Sequence, residues 1–187
     1  MLSIVPKGKE GLETQSLLFG EHFTQLHGPT GTGKTPLVKS VAYCLGYSVK
    51  FRQEIYSRCE AAILTLQVAK GKYSVKRYFL KGSKCEIEVT TPLKEVIPFY
   101  EEASYSNYLF ELLGVKNREL ISRGGDRAGA YMSTVLPLFY VTQDDGYNSV
   151  YKSDSSFIKD QFSEMIRLAF SLPEKNSFNL KKNQIQA

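Results

Sequence analysis

The chain has 187 residues, 42% hydrophobic and 23% charged, a make-up that excludes intrinsic disorder as its default and suits one domain with a substantial core or one lobe of something larger. Its 24 basic against 19 acidic residues leave a formal net charge of +5 and a pI near 9.0, a modest excess that points to an anionic partner, nucleic acid being the commonest. No apolar run approaches the roughly 20 residues needed to span a bilayer, and the N-terminus lacks an apolar core bounded by a cleavage site, so the sequence reads as cytoplasmic.

From Ser3 to Phe19 an apolar start, the Lys7-Gly8-Lys9-Glu10-Gly11 turn and a second apolar patch at Leu17-Leu18-Phe19 predict a strand, a turn and a second strand. After the Gly20 break, His22-Phe23-Thr24-Gln25-Leu26 is expected to be a third strand. It leads into Gly28-Pro29-Thr30-Gly31-Thr32-Gly33-Lys34-Thr35, which matches the phosphate-binding pattern G-x-x-x-x-G-K-[ST] at every defined position. Leu37, Val38, Val41, Ala42 and Leu45 then recur at helical spacing until Gly46, with Pro36 in the first turn, where its missing N–H costs little. Lys50, Arg52 and Arg58 mark a basic connection, read as a solvated loop or as a source of an arginine for phosphate or DNA.

From Ala61 the period changes to two. Ile63, Leu64, Leu66 and Val68 lead into Lys70-Gly71; Tyr73, Val75, Arg77 and Phe79 alternate with Ser74, Lys76 and Tyr78; Cys85, Ile87 and Val89 follow Gly82-Ser83. This pattern predicts an antiparallel meander with short turns. Pro92 and Pro98 bracket a connector ending at Glu101-Glu102. Tyr108, Leu109, Leu112 and Leu113 predict a helix stopped by Gly114, with Ser106 as its candidate cap. Lys116 to Ala130 reads as a loop, Val135 to Val141 as an apolar run, and Phe157 to Phe170 as an amphipathic helix begun by Ser155 or Ser156. The segment after Pro173 reads as a frayed polar tail or the start of a linker, so the domain expectation is one lobe over 1–172 and a tail over 173–187. The three cysteines, Cys44, Cys59 and Cys85, form no C-x-x-C pair and read as reduced packing residues; with only His22 and His27 beside them, a zinc site is not expected.

The chemistry of the loop follows from its residue types. Glycines let consecutive N–H groups point inward as an anion nest, Lys34 reaches the β- and γ-phosphates, and the Thr35 hydroxyl can ligate Mg²⁺. Gly28, Pro29, Thr30, Gly31, Thr32, Gly33, Lys34, Thr35 and Pro36 are therefore the candidate nucleotide-binding residues, with ATP and Mg²⁺ as the cofactors. An antiparallel insertion directly after the loop and its helix argues against a compact nucleotide kinase, in which strands and helices alternate throughout.

The order of phosphate loop, helix, meander, small helix and an apolar run ending in glutamine resembles the N-terminal half of an ABC-type ATPase head of the SMC/RecN class, closest to its DNA-repair and anti-phage defence members. The resemblance implies an α/β P-loop NTPase fold: an N-terminal ABC-head lobe carrying an antiparallel meander. Tyr140-Val141-Thr142-Gln143-Asp144-Asp145-Gly146 looks like the glutamine loop of that family, whose glutamine contacts Mg²⁺ and the attacking water, so Gln143 joins Lys34 as a catalytic candidate and Thr35 as a metal ligand. In such heads a coiled coil follows the first half, and the signature motif, the Walker B strand and the catalytic glutamate come afterwards; none of these follows Gly146. The implied partners are a C-terminal ATPase lobe or second ATPase subunit, DNA, and a nuclease or effector subunit, with no membrane. ATP hydrolysis is implied for the assembled head, not for this chain alone. Candidate DNA contacts are Lys50, Arg52, Lys70, Lys72, Lys76 and Arg77.

Two other readings stay open at this point. Leu136 to Thr142 before Asp144 and Asp145 could be a Walker B strand, with Ser122-Arg123-Gly124-Gly125-Asp126 as a degenerate signature, although Pro137 cannot donate to a ladder. A self-contained kinase or small ATPase would use those aspartates and a lid around Gly124-Gly125 with Arg123 and Arg127.

Overall fold

Period-two alternation between Cys59 and Thr90 places apolar side chains on one face of a sheet, and a computed structural model of the protein describes that sheet within residues 1–81, 85–142, 151–153 and 156–179. The fold is mixed α/β, and the chain falls into two compact units, Met1–Tyr105 and Ser106–Ala187.

In the first unit β1 (Leu2–Pro6), β2 (Cys59–Val68), β3 (Gly71–Tyr78), β4 (Ile87–Thr90) and β5 (Val96–Phe99) form one antiparallel sheet in sequence order. The register aligns Leu2 with Leu64, Leu64 with Val75, Val75 with Val89 and Val89 with Ile97, so one apolar row crosses all five strands. Helix α1 (Lys34–Cys44) is tied to this sheet: its Ala42, Tyr43 and Cys44 are buried, and the Cys44 thiol donates to the Ala62 carbonyl at 3.6 Å. Tyr43 stacks on Phe79 with ring centroids 5.5 Å apart, and Phe51 meets both rings edge-on.

The expected meander is present, its Gly82-Ser83 turn lying outside the described residues. Several neighbouring expectations change. Leu17-Leu18-Phe19 is not a strand: only Leu17 pairs, exchanging backbone bonds of 2.9 and 2.8 Å with Leu2. His22–Leu26 is irregular and its Phe23 is 79% exposed. The sheet ends at β1, whose outward N–H groups at Leu2 and Ile4 are taken by Leu17 and Thr14, and no strand among the described residues pairs with His22–Leu26. The basic connection holds a short helix α2 (Gln53–Arg58). The Pro92–Pro98 connector contains β5, an edge strand whose Pro98 stands opposite Glu88. An edge accepts a proline because one side of the strand needs no ladder donor.

Helix α3 (Glu102–Leu112) begins four residues before Ser106, which is fully buried within it; the Ser106 hydroxyl accepts the Met132 N–H at 3.0 Å instead of capping α3. Gly114, at φ 71°, stops the helix as expected, with the Val115 N–H reaching back to the Phe110 carbonyl at 2.8 Å.

In the second unit, Lys116–Ala130 is a hairpin of β6 (Glu119–Ile121) and β7 (Arg127–Gly129), where the composition reads as loop. The apolar run after Ala130 is helical, α4 (Met132–Val135) followed by a 3-10 turn at Leu136–Leu138. Helix α5 (Gln161–Ala169) starts after Asp160 rather than at Ser156, and Ser155 lies outside the described residues. Phe157–Lys159 is extended against β6, the Arg123 N–H donating to the Phe157 carbonyl and the Lys159 N–H to the Ile121 carbonyl at 2.8 and 2.9 Å.

The described part of the expected tail is not frayed. Glu164, 1% exposed on α5, accepts the N–H groups of Lys175 and Asn176 at 3.1 and 2.8 Å and the Asn176 side-chain amide at 3.0 Å. Ser177 bridges Leu120. A buried carboxylate supplies the packing partner that a polar segment cannot advertise in its own composition.

Candidate nucleotide-binding site

The Gly28–Thr35 loop is built by local backbone chemistry. Gly31 and Gly33 adopt φ of 87° and 84°, in the left-handed region, and a Cβ added at either would meet nothing within 4 Å; backbone strain, not crowding, selects glycine there. Gly33 is the residue from which α1 starts, and its carbonyl accepts the Leu37 N–H at 3.2 Å. No side chain caps this end and no acidic residue sits in its first turn. Pro36, third in the helix, has no N–H to satisfy. The helix thus presents its positive end, with the N–H groups of Lys34 and Thr35, unobstructed by a carboxylate.

Lys34 folds back over the loop. Its ammonium donates to the Gly28 and Pro29 carbonyls at 2.7 and 2.6 Å and lies 3.4 Å from the Thr32 hydroxyl, which itself donates to the Pro29 carbonyl at 2.9 Å. Gly28, Pro29, Thr32 and Lys34 are therefore brought together, while Thr30 and Thr35 are exposed at the loop tip and the helix start. A cation held over glycine backbone at an uncapped helix N-terminus can receive a polyanion such as a triphosphate.

The far end of α1 is equally specific. Gly46, at φ 95°, closes a Schellman turn: its N–H donates to the Tyr43 carbonyl and the Tyr47 N–H to the Ala42 carbonyl, both at 3.0 Å. Arg77 of β3 adds Nη1 donation to the carbonyls of Tyr43 and Tyr47, the latter at 3.2 Å, and its guanidinium lies 3.9 Å from the centre of the Tyr43 ring. The Tyr105 hydroxyl donates to the Cys44 carbonyl at 2.6 Å. The Cys85 thiol, half-buried, is pushed up by burial and pulled back by the Arg77 guanidinium.

This arrangement corrects the list of DNA contacts. Arg77 is 8% exposed and turned into the core, out of reach of any duplex. Lys76 is engaged with the Glu60 carboxylate at 3.1 Å and lies 4.3 Å from the Tyr78 ring centre. Lys50, Arg52, Lys70 and Lys72 remain exposed. Arg77 carried a readable signal: it falls in register with Tyr73, Val75 and Phe79, an arginine on the apolar side of a strand.

Gln143, Asp144, Asp145 and Gly146 lie outside the described residues. The strand that a Walker B reading needs before Asp144 is instead a 3-10 turn at Leu136–Leu138. Ser122–Asp126 is the turn of the β6–β7 hairpin, closed by the Ser122 N–H to the Asp126 carbonyl at 2.8 Å, and it opens a strand where a signature motif opens a helix. Arg127 there pairs with Glu119, and Arg123 donates to the Ser156 hydroxyl at 2.6 Å. An open hollow of about 370 Å³ lies beside this turn, lined by Ile121–Gly125 and Lys159.

Among the described residues, no group of three or more His, Cys, Asp or Glu side chains is placed to hold a metal, and no helix is long and apolar enough to cross a membrane. Comparison with known proteins gives no matching family model, no matching curated protein and no matching solved structure.

Proposed function

We propose that this chain binds ATP with Mg²⁺ through Gly28–Thr35 and is the ATP-binding half of a cytoplasmic, SMC/RecN-like ABC-type ATPase head that dimerises on ATP and acts on DNA in repair, chromosome maintenance or phage defence. The observation that carries the reading is the Lys34 ammonium folded over the Gly28 and Pro29 carbonyls at the uncapped start of α1. The donor set fits a nucleoside triphosphate: backbone amides and a lysine for phosphate oxygens, and a threonine hydroxyl at the second helical position for a hard cation.

In this reading ATP-Mg supplies the transferable γ-phosphoryl group. The loop amides would bind and orient the phosphates, Lys34 would neutralise their charge, and Thr35 and Gln143 would be this chain's ligands to the cation. Phosphoryl transfer is mostly positioning and charge neutralisation, so a half-site can hold nucleotide while turning it over slowly. The signature serine comes from an opposing subunit and the general base from a C-terminal lobe, with a nuclease or effector subunit as a further partner. The self-contained kinase or small ATPase is not favoured, because Leu136–Leu138 is helical where that reading needs a strand.

The test measures ATP-Mg binding and phosphate release by this chain in parallel. Tight binding with little release is expected, and Lys34→Ala abolishes the binding. Equal ATP-Mg affinity of Lys34→Ala and wild type overturns the site; brisk release without a partner overturns the half-head. DNA binding, carried by phosphate contacts, should weaken steeply as salt is raised.

A further inference from the structure

Arg77 is buried, yet none of the described carboxylates pairs with it. It stands on the apolar side of β3, opposite Ala62 on β2 and Ile87 on β4. A buried cation of this kind is costly unless something of opposite polarity faces it. What faces it is the carbonyl end of α1, at Tyr43 and Tyr47, and the Tyr43 ring. The Schellman turn already engages the Tyr43 carbonyl, so the guanidinium is not filling a missing backbone bond there. It complements the negative end of the same helix whose positive end faces the phosphate loop. Tyr105, itself fully buried, fastens the next carbonyl, that of Cys44.

Resting on the reading of Gly28–Thr35 as the ATP site, we propose that Arg77 and Tyr105 are positioning residues for nucleotide binding, which anchor the far end of α1 so that phosphate capture at Lys34 and the helix–sheet joint at Tyr43–Tyr47 are coupled. Helix α1 has 11 residues, a rod of roughly 16 Å. Its N-terminal amides can meet a triphosphate in one geometry only if its other end does not shift or fray. Coupling of this kind is reciprocal: nucleotide tightens the joint by the same factor by which the joint tightens nucleotide.

The experiment uses the full chain and three variants: Arg77→Met, which keeps the stem and drops the charge; Arg77→Lys, which keeps the charge and drops the fork; and Tyr105→Phe. ATP-Mg affinity is measured beside amide hydrogen exchange at Gly46 and Tyr47, with Val75→Ala as a core control of comparable thermal destabilisation. In wild type, ATP-Mg slows exchange at Gly46 and Tyr47. Arg77→Met binds ATP-Mg about 10-fold more weakly and loses that protection, Arg77→Lys recovers part of both, and Val75→Ala stays close to wild type. Wild-type affinity in Arg77→Met, or an equal loss in Val75→Ala at matched stability, overturns the positioning role. Should Arg77→Met not fold, wild-type affinity and protection in both Arg77→Lys and Tyr105→Phe do the same. Absence of ATP-Mg binding by the wild type overturns the phosphate-site reading, and this proposal falls with it.

Discussion

The Tyr105 hydroxyl reaches the Cys44 carbonyl at 2.6 Å across 61 positions of sequence, joining the first turn of α3 to the last residue of α1. Both groups are buried, so the bond has no ready substitute in water. Tyr105→Phe strands that carbonyl and should cost about 1–2 kcal/mol, lowering Tm by roughly 2–8 °C. Thermal and urea unfolding of the variant beside wild type measure both; an unchanged midpoint contradicts the bond's role.

Cys44, the last residue of α1, has no exposed surface, and burial pushes its thiol up to about 12 against the opposing pull of Arg77. At pH 8 its thiolate fraction is on the order of 1 in 10,000. Native protein should leave Cys44 unmodified by an alkylating reagent while half-buried Cys85 reacts first, and denaturant should bring Cys44 to full reactivity. Mass spectrometry of the alkylated peptides reads the order.

Glu164 holds the segment from Lys175 to Ser177 against α5. Glu164→Ala leaves the N–H groups of Lys175 and Asn176 without their acceptor and should destabilise the second unit by about 3 kcal/mol, with earlier proteolysis near Pro173; Glu164→Gln, which keeps one acceptor oxygen, should lose less.

The same segment should loosen in acid. The Asn176 side-chain amide and the Lys175 ammonium hold the Asp160 carboxyl below the usual aspartate range. Because the folded value is the lower one, the contribution is fully present above the ordinary aspartate value and is lost as pH falls through the depressed one, that is below about pH 4. Asp160→Asn should remove that dependence, as read by hydrogen exchange at Asn176 between pH 3 and pH 5.

Gly33→Ala isolates strain in the loop. The added methyl has open space but must adopt φ near 84°, at a cost of about 1 kcal/mol, or else move the start of α1. ATP-Mg affinity should fall several-fold and Tm by roughly 2–4 °C, measured by titration and melting of the same samples.

Local patterning decides part of this structure. Leu64, Val75 and Val89 lie on one sheet face because their alternation leaves no other register, and Gly46 and Gly114 end helices because each supplies the left-handed turn. Elsewhere a tertiary partner decides. Pro98 is allowed in β5 only because β5 is an edge. Glu119–Gly129 looks like a loop until Phe157–Lys159 and Ser177 are laid against it. Leu136–Leu138 is as apolar as a strand, but Pro137 suits the start of a 3-10 turn. The Gly28–Thr35 pattern stands in the sequence residue by residue, whereas the anchoring of α1 does not: Arg77 is a surface cation by type and a core residue by register.

Pro98 and Thr14 stand at opposite margins of the first unit's sheet. At β5 the third residue, Pro98, has no N–H to offer, and at β1 the outward donors of Leu2 and Ile4 are already engaged by Leu17 and Thr14. Runaway strand addition between copies of the protein, the usual hazard of an open antiparallel sheet, therefore meets a blocked rung on either side, and concentrated solutions should resist fibrillar self-association even with Leu93, Val96 and Tyr100 exposed near the β5 margin.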